Sequence, residues 1–238
     1  MPARRPWFAL PTMRTAAIAA AAAALILVAG LLNRGTPWRV VPGDGAGEGA
    51  AEPGVVEIDG VPTPTTDLAA LASRIKPGAE LRMASGGPLR LVSGGALALE
   101  LPPGAELTLP PPPARWVERE SEIYSRAGEI RITTGAAFRG ARLAVHTPEA
   151  VVELTGTTVA VIRDEQGTCV CVLAGVVRMG PPPSTDPAAP NAPMTTIPAG
   201  IRCLMYKDSR PPLLEPISDM ERMKLSMFRD ALTSLSKE

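Results

Sequence analysis

From Asp67 to about Tyr206, apolar and polar positions alternate again and again at a period of two. ELRMAS, PLRLVS, ALALELP, AELTLP, EIRITTG, ARLAVHT, AVVELTG, TTVAVIR, TCVCVLA and GVVRMG follow one another, punctuated by Gly or Pro. In an extended chain that period sends successive side chains to opposite faces, so Ile130 and Ile132 share one face while Glu129, Arg131 and Thr133 share the other. Many short strands at this spacing predict an all-β sandwich or solenoid over residues 67–206. About 140 residues can bury roughly two-thirds of their unfolded-chain surface, which is enough for a core.

Three segments break the period. In the tail, Met220, Met223, Met227, Phe228, Ala231, Leu232 and Leu235 recur at three- and four-residue spacing, and Ser218 with Glu221 forms a capping box. This predicts an amphipathic helix within residues 207–238, packed on the β domain or offered to an adaptable partner through its methionines. Asp67–Arg74 predicts one short helical turn capped by Asp67. Near the start, Ala16–Leu32 carries no charge, Arg4, Arg5 and Arg14 precede it, and Arg34 follows. A helix of about 17–18 residues rises about 27 Å, close to the roughly 30 Å hydrocarbon core. A cleaved signal has a shorter apolar run and a small-x-small site, unlike Leu31-Leu32-Asn33-Arg34 here. The expectation is an uncleaved transmembrane anchor at residues 15–33, with the basic tail 1–14 cytoplasmic and the remainder outside the cytoplasm.

Residues 34–66 are rich in Gly, Pro, Ala and acids and predict a flexible stalk, in which Val55–Ile58 could add a first edge strand. The Pro-rich runs at 110–113, 181–195 and 211–212 predict loops.

Composition narrows the chemistry. Lys plus Arg number 24 and Asp plus Glu number 24, and aromatic residues make up 3%, so no nucleic-acid partner is expected. His146 is the one histidine, and the chain holds no GxSxG, P-loop, HExxH or acidic metal cluster, so catalysis, cofactor and metal are not expected. Cys169 and Cys171 lie two apart, and Cys203 sits in IRCLMY. Outside the cytoplasm, Cys203 could bridge to Cys169 or Cys171 and leave an odd thiol, or all three could be small buried apolar residues. A zinc site from three cysteines and His146 would lack knuckle spacing, and a thiol enzyme would lack an orienting third residue.

The densest strand region also carries a resemblance. Leu143-x-Val145-x-Thr147-Pro148-x-Ala150-x-Val152, then Thr155-Gly156-Thr157-x-Val159-x-Val161, then Val170-x-Val172-Leu173-x-Gly175-x-Val177 resembles the FecR-type periplasmic domain family. Ile75–Leu81, Gly128-Glu129-Ile130 and Ile197–Ile201 extend the likeness to about residues 70–206. Thr155 stands where the family has Arg, Thr158 or Val159 where it has Phe, and Ala174-Gly175 where it has Glu-Gly. The resemblance implies Thr147, Pro148, Gly156, Thr157 and Gly175 as corner residues of the fold. It further implies a single-pass protein of the bacterial inner membrane whose periplasmic domain signals through an envelope or membrane protein partner. Relatives that control iron-transport sigma factors carry a cytoplasmic sigma-binding domain. Residues 1–14 are too few for one, so direct sigma-factor binding is not expected. The alternative is an envelope structural or surface-binding module with no signalling role.

Overall fold

One strand organises the molecule. In the computed structural model, which describes residues 35–41, 53–113, 120–183, 193–208 and 210–235 and the isolated Ala24, Glu120–Thr134 forms a single strand of 15 residues, β8. Its first half pairs with β7 (Glu106–Thr108) and, in parallel, with β9 (Arg142–His146). Its second half pairs with β6 (Leu97–Leu101) and β11 (Thr158–Arg163). The partners change at Gly128, where φ is 77° and a Cβ would lie 2.3 Å from the Gly104 carbonyl oxygen. Only glycine tolerates both that backbone and that approach.

Two sheets therefore share β8. The first runs β1 (Arg39–Val41), β5 (Leu89–Ser93), β6, β8, β11, β12 (Gly167–Ala174), β15 (Ile201–Tyr206) and β16 (Leu213–Pro216). The second runs β3 (Val61–Pro64), β2 (Val55–Ile58), β4 (Glu80–Ser85), β7, β8, β9, β10 (Val151–Leu154), β13 (Val176–Gly180) and β14 (Thr195–Pro198). All pairings but β8 with β9 are antiparallel. The inner faces meet in one aliphatic core to which Leu91, Leu99, Ile132 and Val161 contribute from one sheet and Val56, Leu81, Val145 and Val177 from the other. Helices α1 (Leu68–Arg74) and α2 (Asp219–Leu235) and a 3-10 turn at Ala136–Phe138 complete the described elements. Asp67 caps α1 by accepting from the Ala70 N–H at 2.9 Å.

The corner residues mark where the chain changes sheet. Thr155–Thr157 carries it from β10 to β11, and Gly175 alone returns it from β12 to β13. These corners touch, since a Cβ on Gly175 (φ 83°) would lie 2.3 Å from the Gly156 carbonyl oxygen. Thr147 and Pro148 instead close the β9–β10 hairpin. The Thr147 hydroxyl accepts from the Ala150 N–H at 2.9 Å and lies 2.7 Å from the Thr168 hydroxyl. Thr168 in turn donates to Glu149, which also receives Arg163.

The domain is wider than the periodicity indicates. Residues 35–41 and 53–66, expected as a stalk, are stitched into the sheets; residues 42–52 lie outside the described residues. Trp38 is 8% exposed and donates its indole N–H to the Pro110 carbonyl at 2.8 Å, beside β1 on β5. β2 lies between β3 and β4, so the edge belongs to β3, whose Pro62 and Pro64 offer no N–H for further pairing. Short strands in a Pro- and Gly-rich context show too few repeats for a period to register. The segment expected to hold only the C-terminal helix also contributes β16. The expected tail 1–14 and anchor 15–33 fall outside the described residues, apart from Ala24. Among the described residues no helix is long and apolar enough to cross a membrane.

Candidate interaction surface

Helix α2 begins on the predicted capping box. The Glu221 N–H donates to Ser218 Oγ at 3.2 Å, and the Ser218 N–H donates to Glu221 Oε2 at 3.2 Å. The reciprocal bonds satisfy helix donors that would otherwise lack partners. From there the helix crosses the outer face of the first sheet over β12, β11 and β8. Leu225 packs with Ala160, Cys171 and Ile217, and Phe228 with Ala98. These contacts use one face only. Met220, Met223 and Met227 are 63%, 58% and 66% exposed and form a stripe at i, i+3 and i+7 along the opposite side. A helix apolar on two faces has one more than its own docking requires, and unbranched thioethers adapt to varied contours. Leu213 and Leu214 on the adjoining strand β16 are also exposed.

Under α2 lies a row of charge. Arg90, Glu100 and Arg131 are register neighbours across β5, β6 and β8. Glu100, with a side chain 2% exposed, receives Arg90 Nε at 2.7 Å and also binds Arg131, whose Nε reaches Glu129 at 2.6 Å. Burial opposes the charge on Arg131, and hydrogen bonds with Glu129 and the field of both carboxylates overcome it and raise its pKa. Alternation predicts Glu100 on a solvated face. The cover comes from a helix more than a hundred residues further along, which no local pattern could reveal.

The cysteines divide between faces. Cys169 and Cys171 point outward under α2, with their sulfurs 4.0 Å apart. Cys203 stands opposite Val170, so its side chain enters the inner core. All three are free thiols, and the structure does not bring Cys203 to Cys169 or Cys171. The Cys171 thiol lowers the pKa of half-buried Cys169 by hydrogen bonding, against burial and with help from Arg202. The same bond and burial push Cys171 up, and burial pushes Cys203 up to about 11. His146 is elsewhere, on the second sheet, stacked on Tyr124 with ring centres 4.9 Å apart and Nε2 3.9 Å from Glu122. Among the described residues no three His, Cys, Asp or Glu side chains are grouped to hold a metal ion. A shallow cleft of about 180 Å³ on the second sheet is walled by Glu57, Glu80, Glu106, Arg82 and Arg126, largely paired with one another, and lacks the apolar lining of a small-molecule site.

Residues 79–178, from just before β4 into β13, match the model of the FecR protein family. Helix α2 lies beyond the matched residues. Two crystal structures of a proposed anti-sigma factor from Parabacteroides distasonis ATCC 8503, at 1.65 and 2.50 Å, are similar to this chain at 16% identity and a TM-score of 0.45. The likeness spans 58% of this chain and 59% of theirs. Among curated proteins none matches.

Proposed function

We propose that this chain is a membrane-anchored FecR-type signalling module that binds an envelope or membrane protein from the periplasmic side and performs no catalysis. The observation that carries it is the second apolar face of α2. Ser218, Leu225 and Phe228 hold the helix in place, and Met220, Met223 and Met227 are left facing outward. Three thioethers on a fixed helix suit groove-type docking, in which side chains at i, i+3 and i+7 enter a partner's apolar groove. Support for a regulatory role comes from the FecR match, and support for the anchor comes from the uncharged run Ala16–Leu32 with its basic flank.

The test places a photo-activated cross-linking residue at Met223 in cells and a control at exposed Arg139. A discrete adduct from Met223 in the membrane fraction, absent from Arg139 and lost in Met220→Asp/Met227→Asp, supports the proposal. Equal labelling from both positions refutes the contact. An intact mass lacking residues 1–34 refutes the anchor and turns the assignment toward a released envelope module.

A further inference from the structure

The outer face of β12 carries a feature that partner binding does not use. Cys169 and Cys171 sit on one side of a central strand, with their sulfurs 4.0 Å apart, Cys169 half-buried and Cys171 closed under Leu225 and Ile217. Arg202 is the register neighbour of Cys171 on β15, and its charge acts on Cys169. We propose that Cys169 and Cys171 form a two-thiolate site for a soft monovalent cation of the copper(I) or silver(I) class.

Geometry separates this from the other fates of a thiol pair. Residues i and i+2 of an extended strand have Cα atoms roughly 6.6–6.8 Å apart, at the upper end of the span a disulfide accepts. Strand β12 is paired along both edges, with β11 and β15, so it cannot pucker to shorten that span without losing ladder hydrogen bonds. A metal needs no such movement. In the linear geometry of a two-coordinate cation of this class, bonds of about 2.3 Å set the sulfurs about 4.6 Å apart, so the 4.0 Å gap opens by about 0.6 Å through side-chain rotation, without moving the strand. Zinc requires four ligands; Glu221, hydrogen-bonded to Cys171, is the further acid that reaches the pair, and among the described residues no three His, Cys, Asp or Glu side chains are grouped to hold a metal ion. Soft thiolates with low coordination select copper(I) and its congener.

The step balances without a redox partner. Each S–H bond gives its proton to solvent, each sulfur donates an electron pair to the cation, and the product carries one negative charge. Arg202, already paired with Glu215 and 3.9 Å from Glu221, lies on the side where that charge appears. Glu221 has the opposite effect on the thiols, raising the pKa of Cys171. The thiols lie under α2 and the methionines above it, so this site and the partner contact fail or stand separately.

The experiment uses the reduced full-length protein, solubilised in detergent and titrated with silver nitrate in chloride-free buffer. Native mass spectrometry should show one silver per chain, and one equivalent should slow N-ethylmaleimide labelling of Cys169 at least tenfold. In competition with a chelator, Cys169→Ser and Cys171→Ser should each weaken silver binding at least 100-fold, and Cys203→Ser should leave it unchanged. Unaltered labelling in the presence of silver overturns the proposal without relying on any variant. So does silver binding that survives in the double variant of Cys169 and Cys171. Loss of two mass units in air, with residues 169 and 171 linked in one peptide, overturns it in favour of oxidation.

Discussion

Replacing Phe228 by alanine should free helix α2 while leaving the sandwich intact. The ring is 1% exposed and rests on Ala98, with Val92 beside it. Phe→Ala in an enclosed core costs about 3–5 kcal/mol, combining lost transfer energy with the cavity left behind. Here one wall of the site is a sheet and the other a single helix that can settle inward, so the lower figure of about 3 kcal/mol applies. Leu225 and Ile217 still hold the first turns, which confines the loss to the far half of the helix. A change of about 3 kcal/mol multiplies the local opening equilibrium by about 150. Native-state hydrogen exchange reads this directly, because each amide reports its own opening free energy. Amides in the second half of α2 should exchange about a hundredfold faster, and those of β11 and β12 should stay within about threefold. If the strand amides accelerate in step with the helix, α2 belongs to one cooperative unit with the core and cannot act as a separate docking element. If neither changes, Phe228 is not what holds it down.

Further outcomes follow from the same contacts. Gly128→Ala forces a left-handed φ on a residue with a Cβ, at about 1–2 kcal/mol, and drives that Cβ into the Gly104 carbonyl. At about 2–4 °C per kcal/mol the strain alone should lower the thermal midpoint by roughly 2–8 °C and the clash adds to it, so an unchanged midpoint would contradict the corner's role. Glu100→Gln leaves Arg90 without its charge partner and should cost about 3 kcal/mol in urea denaturation, whereas replacing Arg90, Glu100 and Arg131 together by Met, Leu and Met should be close to neutral. Acid should destabilise the fold through Glu149 and Glu221. Burial opposes ionisation of both, and Arg163 and Thr168 for the first, Ser218 for the second, nonetheless hold them below the ordinary value of 4.5. Depressed carboxylates stabilise the folded state above that value and cease to do so as pH falls through their folded pKa. The thermal midpoint should therefore drop below about pH 4.5, and Glu149→Gln should flatten the drop.

Strand existence was legible wherever the period of two ran for four residues or more, because one face of each strand meets a shared aliphatic core. The same rule assigned Ile130 and Ile132 inward correctly. It failed for β6, where LALEL is buried on both faces because α2 covers the outer one. It also missed β1 and β3, whose three or four residues lie among prolines and glycines. For the candidate surface, the methionine spacing and the Ser218–Glu221 cap were visible in the chain. The separation of Cys203 from the other two cysteines was not, since it depends on which residue of β12 it faces across the ladder.

The seating of Trp38 has a mechanical consequence. A pull on the chain from the N-terminal side of residue 35 reaches the domain through three backbone pairings of β1, the indole hydrogen bond to Pro110 and the Ser93 hydroxyl on the Thr36 carbonyl. These are few, and they sit at a sheet margin, where pairings open in succession instead of all at once. Tension would strip this length of chain away long before the sandwich yields, as a fuse gives before the circuit. What it uncovers is β5, whose Arg90 stands opposite Val41 and holds the end of the charged row beneath α2. Loss of this strand thereby bares the margin of the sheet on which helix α2 is seated.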